Sequence, residues 1–134
     1  MVNVPDEYQS LIAGGVYGTI GTLDGDGAPL MTPIWVDYDP ERNQFLVNTV
    51  PGREKEQHLR RNPAVALTYV HEDDERRYLS VQGEAVEFVT EGAIDHYNRL
   101  AETLLGEENF YERRYEEDIG RVIVRIEPSA VYSR

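Results

Sequence analysis

The stretch FLVNTVPGREKEQHLRRNPAVAL, residues 45–67, carries the clearest local pattern in this chain. Apolar and β-branched residues at its two ends predict two strands. Between them, the sequence predicts a turn at Pro51-Gly52 and a short helix from about Arg53 to Asn62. Pro63 marks the end of that helix, because the residue before a proline disfavours helical backbone. The stretch therefore predicts a helix inserted between two neighbouring strands.

This predicted helix concentrates positive charge in an acidic chain. The 134 residues include 25 Asp and Glu but only 13 Lys and Arg, which gives a formal net charge of −12, and Lys55 is the only lysine. Five of the 13 basic residues lie in or near the stretch: Arg42, Arg53, Lys55, Arg60 and Arg61. Such a cluster in so acidic a protein predicts a bound anion, most simply a phosphate.

The placement of Arg53 and Lys55 in the first turn supports a phosphate site. A cation there lies beside the positive end of the helix dipole, which costs about 0.3–1 kcal/mol unless an anion is present. The free amides at a helix start bind anions, and the Thr49 hydroxyl just upstream adds a donor. The alternative is that Glu54 and Glu56 neutralise both cations and the helix is an ordinary charged surface. The residues alone leave these two interpretations open.

The rest of the chain predicts a small antiparallel barrel with added helices. Asp24-Gly25-Asp26-Gly27 predicts a hairpin. Pro33 inside a strand predicts an edge, a bulge, or a place where no strand faces the backbone, and Gly83 predicts a bulge or a barrel corner. Asp6 and Thr90 are expected to cap helices. Strands are expected at 16–23, 28–38, 44–49, 64–70, 78–89 and 121–127, with a short seventh at 130–132. A further helix is expected at 91–105, and residues 1–15 are expected to be a polar lead with some helix character.

Composition sets the broad class. One domain, residues 1–134, is expected from the length, and the absence of cysteine excludes disulfides and thiolate metal sites. The three histidines, His58, His71 and His96, lack the spacing of a metal site. The acidic balance argues against nucleic acid and anionic membranes as partners, and we expect a cytoplasmic protein. Many carboxylates with 12 arginines and one lysine also resemble salt-adapted, halophilic proteins.

Residues 45–67, preceded by GAPLMTPIW (27–35) and followed by LSVQGEAVEF (79–88), resemble the pyridoxamine-phosphate-oxidase-like split β-barrel family. Within that family, the chain is most similar to small single-domain members that bind FMN or the 5-deazaflavin coenzyme F420. The resemblance implies a mainly β (α+β) fold, an antiparallel split β-barrel of six to seven strands with inserted helices. It also implies a homodimer with the cofactor at the subunit interface.

The same resemblance implies a set of cofactor-binding residues. Lys55 would meet the cofactor phosphate, with Arg53 and Thr49 beside it. The ring would lie against two neighbouring strands, at Thr32, Pro33, Ile34 and Trp35 on one and Val47 and Asn48 on the other. Gln82 would reach the ring from the second subunit.

These expectations define the function to be tested. The first hypothesis is an F420-dependent oxidoreductase that transfers a hydride between the deazaflavin and an unknown small organic acceptor, with FMN as the alternative cofactor. Two further hypotheses are a non-catalytic flavin-binding or storage protein and a plain dimeric scaffold. No catalytic side chains stand out, and a proton would come from Tyr17, Tyr69, Tyr78 or water. Vitamin B6 oxidation is not expected, because the C-terminal segment carries only Arg125 and Arg134 as basic groups.

Overall fold

The computed structural model of the chain describes residues 2–134. The strands of this part of the chain close into an antiparallel barrel in the order β1-β2-β3-β6-β5-β4. This confirms the expected mainly β fold. The elements are α1 (Asp6–Ile12), β1 (Val16–Leu23), β2 (Pro29–Asp39), β3 (Gln44–Thr49), α2 (Glu54–Arg61), β4 (Ala64–Val70), β5 (Tyr78–Val89), α3 (Ala93–Leu105), α4 (Phe110–Arg114) and β6 (Val122–Ser133).

The barrel interior forms because buried and exposed residues alternate along the strands. In β4, Val65, Leu67 and Tyr69 are buried, while the residues between them face outward. Successive side chains of a strand point to opposite faces, so this alternation places one face of each strand in a common core. Phe45 in β3 and Ile126 in β6 lie directly opposite each other in that core and are almost fully buried.

Several expected boundaries are wrong, for local reasons. The expected strands at 121–127 and 130–132 are one continuous strand, β6, which pairs with β5 across a register shift. Six strands therefore suffice for the described barrel. Asp6 is the first residue of α1, and Pro5 occupies the cap position. Gly92, with a φ of 76°, precedes α3 in place of Thr90.

A gap between β2 and β3 interrupts the barrel wall. The two strands pair only where Val36–Asp39 meet Gln44–Val47. Before Val36, β2 pairs with β1 alone, and beyond Val47, β3 pairs with β6 alone. Pro33 lies in the part of β2 that has no partner on the β3 side, as its missing N–H predicted. We call this opening the β2–β3 gap.

Gly83 occupies the predicted bulge, at a register shift between β5 and β6. A β-carbon added at Gly83 would lie 3.1 Å from the carbonyl carbon of Glu127 and closer still to its oxygen. Because both atoms belong to backbone, Gly83→Ala is expected to destabilise the fold by about 1–3 kcal/mol, measured by denaturant unfolding. Gly25→Ala is the control, since its β-carbon meets only the end of the Arg61 side chain, at 3.4 Å. Equal stability of the two variants would contradict this account of the bulge.

Within residues 2–134, no helix combines the length and the apolar character needed to cross a membrane.

Candidate functional site

The β2–β3 gap opens into a cavity of about 280 Å³. Strands β2 and β3 form its floor, the start of α2 lies at one side, and α3 and the segment around α4 supply the opposite wall. The side chains that line it are Tyr17, Pro33, Ile34, Trp35, Asn48, Arg53, Lys55, Tyr97, Arg114, Tyr115 and Arg121. We call this cavity the cationic pocket.

The lining of the cationic pocket contains four basic side chains and no carboxylate. These four are Arg53, Lys55, Arg114 and Arg121. None of them forms an ion pair with any residue between positions 2 and 134. In a chain with a net charge of −12, four unpaired cations around one cavity create a local positive potential. The pocket is therefore suited to an anionic ligand.

The start of α2 adds backbone donors to this potential. Arg53 is the N-cap residue and Lys55 lies in the first turn, and the helix has no side-chain cap hydrogen bond. The first amides of a helix have no partner within the helix, so an anion at this end can accept from them. Because Lys55 and Arg53 lie at the same end, charge and backbone donors coincide.

The neighbouring glutamates do not neutralise the two cations. Glu56 is buried, accepts a hydrogen bond from the Gly52 N–H at 3.0 Å, and forms an ion pair with Arg60. Its carboxylate is thereby committed to the turn before α2 and to Arg60, one helical turn further along. Glu54 is exposed and has no ion-pair partner in the described part of the chain. The geometry favours the anion-site interpretation over an ordinary charged surface.

Burial and mutual repulsion affect the two inner cations. Partial burial, together with the nearby Arg53 and Arg121, lowers the pKa of Lys55. Burial likewise lowers the pKa of Arg121 from its very high ordinary value. Tyr97 and Tyr115 act in the opposite direction, and Arg53 and Arg114 add further lowering. Both shifts have one physical origin, since positive charge is held close together away from water without a counter-charge. An anion in the pocket would offset this repulsion between the cations.

Arg121 is held by a chain of partly buried hydrogen bonds. Its Nε donates to Oδ1 of Asn48 at 2.7 Å, its Nη2 donates to the Asn48 carbonyl at 3.3 Å, and its guanidinium lies 3.9 Å from the centre of the Tyr97 ring. The Nδ2 group of Asn48 contacts Nδ1 of His96 at 3.0 Å, and Nε2 of His96 contacts Oδ2 of Asp37 at 2.9 Å. Arg121 is therefore fixed although no carboxylate touches it.

Aromatic rings form the other wall of the cationic pocket. Trp35 stacks on Tyr97, with ring centres 5.5 Å apart and planes at 26°, and Tyr17 meets Trp35 edge-on. Phe110 of α4 packs on both Trp35 and Tyr97. This cluster provides a flat, apolar surface beside the cations, which suits a ligand with a ring at one end and an anion at the other.

Six of the ten residues expected to bind cofactor line the cationic pocket: Pro33, Ile34, Trp35, Asn48, Arg53 and Lys55. The other four lie elsewhere. Thr32 does not line the pocket, Val47 is packed in the barrel core, and Thr49 is buried with an Oγ1 that has no hydrogen-bond partner among residues 2–134. Gln82 is exposed and lines a separate groove of about 460 Å³, to which β1, β2, β4 and β5 contribute.

Four residues that line the cationic pocket from the C-terminal half of the chain are not predicted by sequence reasoning. The sequence pattern places Tyr97 in the apolar stripe of α3, and it predicts no helix at 107–118, where Arg114 and Tyr115 lie. For Arg121 it predicts only the start of a strand. A usable signal exists for Arg121, since it is a single cation directly after Gly120 and before an apolar strand. Of the three tyrosines considered as proton sources, only Tyr17 lines the pocket.

Comparison with known proteins gives a consistent family match. The sequence model described as pyridoxamine 5'-phosphate oxidase matches residues 4–134. A solved structure of an F420 reductase is 28% identical, with a TM-score of 0.80, and the match covers 96% of this chain and 98% of that one.

Two further solved structures share the fold. A conserved hypothetical protein from Mycobacterium tuberculosis is 24% identical, with a TM-score of 0.75, and the match covers 99% of this chain and 85% of that one. The General Stress Protein 26 from Bacillus anthracis is 22% identical, with a TM-score of 0.66 and coverages of 95% and 91%. At these identities, the two likenesses concern the fold alone.

Proposed function

Because this chain belongs to the pyridoxamine 5'-phosphate oxidase family, we propose that its cationic pocket binds a flavin-type cofactor that carries a phosphate. The chain is then an oxidoreductase that transfers a hydride between this cofactor and a small organic acceptor. Coenzyme F420 is the first candidate for the cofactor, and FMN is the alternative.

The observation that carries this proposal is the pocket's lining of four unpaired cations and no carboxylate. Holding these four cations together without counter-charges destabilises the ligand-free protein, as the lowered pKa of Lys55 indicates. Proteins retain such an arrangement where a ligand supplies the missing negative charge. Lys55 and Arg53 at the start of α2 would hold the phosphate, and the β2 segment Pro33–Trp35 would support the ring.

Two considerations favour F420 over FMN. The F420 reductase structure is the more similar of the solved structures described above, at 28% identity over nearly the whole length of both chains. F420 also carries carboxylates as well as a phosphate in its side chain, whereas FMN carries a single phosphate. Four cations exceed what one phosphate needs and match a ligand with several anionic groups.

The bound cofactor would supply the hydride chemistry, and the chain's residues would bind it, orient it and exclude water. Trp35 and Tyr97 border the pocket as a stacked pair, and Phe110 of α4 covers them. This apolar wall would hold the ring in one orientation and keep bulk water from its neighbourhood. The Tyr17 hydroxyl, at the pocket's edge, would be the protein's proton source, with solvent as the other source.

We also propose that the active form is a homodimer. Met31 on β2 has 59% of its surface exposed and lines the same groove as Gln82. Pro29, Ala64 and Ala66 line the groove beside Met31 and are also exposed, and a contiguous exposed apolar patch of this kind marks an interaction surface. A second subunit on this face would bring its pocket toward Gln82. Met31→Glu is therefore expected to convert a dimer into a monomer, as measured by light scattering after size-exclusion chromatography, and a dimer that persists in this variant would argue against this face.

Titration with each cofactor tests the proposed function. The purified protein is mixed with F420 and, separately, with FMN at low and at molar salt, and binding is followed by absorbance and fluorescence. We expect saturable binding, tighter for F420. Turnover of unsaturated acceptors with reduced cofactor then separates an enzyme from a storage protein, which would bind tightly without turnover. If neither cofactor bound to the folded protein, the proposal would fail and the plain scaffold would remain.

Cofactor affinity is expected to fall at high pH because of Lys55. Its lowered pKa means that it loses its charge at a lower pH than an ordinary lysine, and the neutral amine attracts a phosphate less strongly. A bound anion favours the charged form, so binding raises this pKa and is strongest below it. Lys55→Arg should remove the decline, because arginine stays charged. Affinity measured against pH for both proteins checks this, and parallel curves would contradict it.

A further inference from the structure

We propose that Asp37 and His96 are positioning residues that hold Arg121 in the cationic pocket through the side-chain amide of Asn48. The proposal rests on the proposed function, since it assigns Arg121 to the anionic part of the bound cofactor. Asp37 and His96 themselves do not line the pocket. Their contribution to binding would therefore be indirect.

Each donor in this network points from Arg121 toward Asp37, which is the final acceptor. Oδ1 of Asp37 accepts from the backbone N–H groups of Gly14 and Tyr38, both at 2.8 Å, and Oδ2 lies 2.9 Å from Nε2 of His96. Burial raises the pKa of Asp37, but the hydrogen bonds from His96, Gly14 and Tyr38 outweigh it and leave the pKa lowered. An ionised carboxylate can only accept, so the proton of the His96 ring resides on Nε2.

The tautomer of His96 then determines the orientation of the Asn48 amide. With its proton on Nε2, His96 presents Nδ1 as an acceptor, 3.0 Å from Nδ2 of Asn48. The same Nδ2 group donates to the Ala93 carbonyl at 2.8 Å. Both amide hydrogens are used in this way, and Oδ1 is left to face Nε of Arg121. If the Asn48 amide were flipped, its Nδ2 group would face Nε–H of Arg121, and both groups are donors.

Arg121 depends on this orientation more than an exposed arginine would. Only 6% of its surface is exposed, and it has no carboxylate partner in the region 2–134. Its Nε donates to the Asn48 amide oxygen, its Nη2 donates to the Asn48 backbone carbonyl at 3.3 Å, and its guanidinium rests on Tyr97. A buried charged donor that loses its acceptor is costly, so disruption of the amide would let Arg121 move toward water and away from its binding position.

The test compares two substitutions of His96 and one of Arg121. His96→Leu removes both hydrogen bonds with a similar volume, whereas His96→Gln keeps one donor and one acceptor. Affinity is measured with F420 and with FMN. We expect His96→Leu to weaken binding about tenfold, the scale of one charge-assisted hydrogen bond, and His96→Gln to restore most of it. In an Arg121→Met background, His96→Leu should cause no further loss of affinity, because both substitutions act through Arg121.

A second readout does not need the cofactor. In the ligand-free protein, the Nε–H proton of Arg121 should be protected from exchange with water in NMR spectra of the wild type and of His96→Gln, and exposed in His96→Leu. If the wild type bound neither cofactor, the proposed function would fail while this measurement still decided the positioning.

Three outcomes would overturn the positioning role: additive losses of affinity in the Arg121→Met background, no recovery with His96→Gln, or an unprotected Nε–H in the wild type. Should His96→Leu fail to fold, Asp37→Asn replaces it. An asparagine that presents its amide group to Nε2 reverses the tautomer of His96 and sets Nδ1–H against the Asn48 donor. Unchanged affinity and protection in Asp37→Asn would likewise overturn the proposal.

Discussion

Alanine at both Arg53 and Lys55 is expected to weaken cofactor binding by about a hundredfold or more, while the barrel remains folded. Each side chain would make a charge-assisted hydrogen bond to the phosphate, and such bonds contribute about 1.5–3 kcal/mol each. Stability should change little, since Arg53 is exposed and neither side chain has an ion-pair partner between residues 2 and 134. Removal of repulsion around Arg121 should even offset part of any loss.

Binding of the double variant is measured by fluorescence titration at fixed salt. The matched control is Arg76→Ala with Arg99→Ala, which changes the net charge by the same amount outside the pocket. Both control positions are exposed or partly exposed, so folding should be unaffected. Comparable losses in the two double variants would mean that net charge alone governs affinity. An unaltered affinity in the Arg53 and Lys55 double variant would contradict the assignment of these residues to the cofactor phosphate.

Phe45→Ala is expected to lower the free energy of unfolding by about 3–5 kcal/mol. The Phe45 side chain is 1% exposed and packs on Tyr38, with ring centres 5.0 Å apart. It lies opposite Ile126 in β6, so its removal leaves a cavity where β2, β3 and β6 meet. Asn48 lies in β3 and Arg121 directly precedes β6. A weaker core between these two strands should therefore loosen the pocket as well.

Denaturant unfolding at fixed salt measures this effect. Val86→Ala is the control, since Val86 has 46% of its surface exposed and its truncation opens no cavity. We expect the midpoint of Phe45→Ala to fall well below that of the control, with cofactor affinity reduced in the same variant. A loss of stability below about 1 kcal/mol would contradict the assignment of Phe45 to the barrel core.

The local elements of the fold could be predicted because their signals are local. The strands at 16–23, 44–49, 64–70 and 78–89 have the predicted bounds. Each is bordered by a glycine, a proline or a charged turn, and such residues act through their own backbone preferences. Pro33 and Gly83 also indicated correctly where strand pairing is interrupted. Short-range chemistry was sufficient for these features.

Helix α4 was not predicted, because no local sequence pattern indicates it. Five residues, Phe110–Arg114, follow Asn109 in a left-handed conformation with a φ of 53°. So short a helix offers no apolar period to detect, and it is stabilised by contacts with α3, such as Asn98 accepting from the Tyr111 N–H at 2.8 Å. Arg114 and Tyr115 could therefore not be placed in the pocket from sequence.

The support of Arg121 also depends on tertiary structure. Asp37, Asn48, His96 and Arg121 come from four separate segments, and Arg121 is 73 residues from the Asn48 that holds it. No spacing rule predicts such a network, because only the closed barrel brings these segments together. The grouping of Arg53 and Lys55 could be predicted from sequence because the two residues share one helix start, whereas the opposite wall of the pocket could not.

A crystal structure of the protein soaked with F420 tests the central claim most directly. We expect the cofactor's phosphate within hydrogen-bonding distance of the Lys55 ammonium and the Arg53 guanidinium, and its ring against Pro33–Trp35 in the β2–β3 gap. A phosphate bound elsewhere on the barrel, or in the groove beside Gln82, would contradict the account.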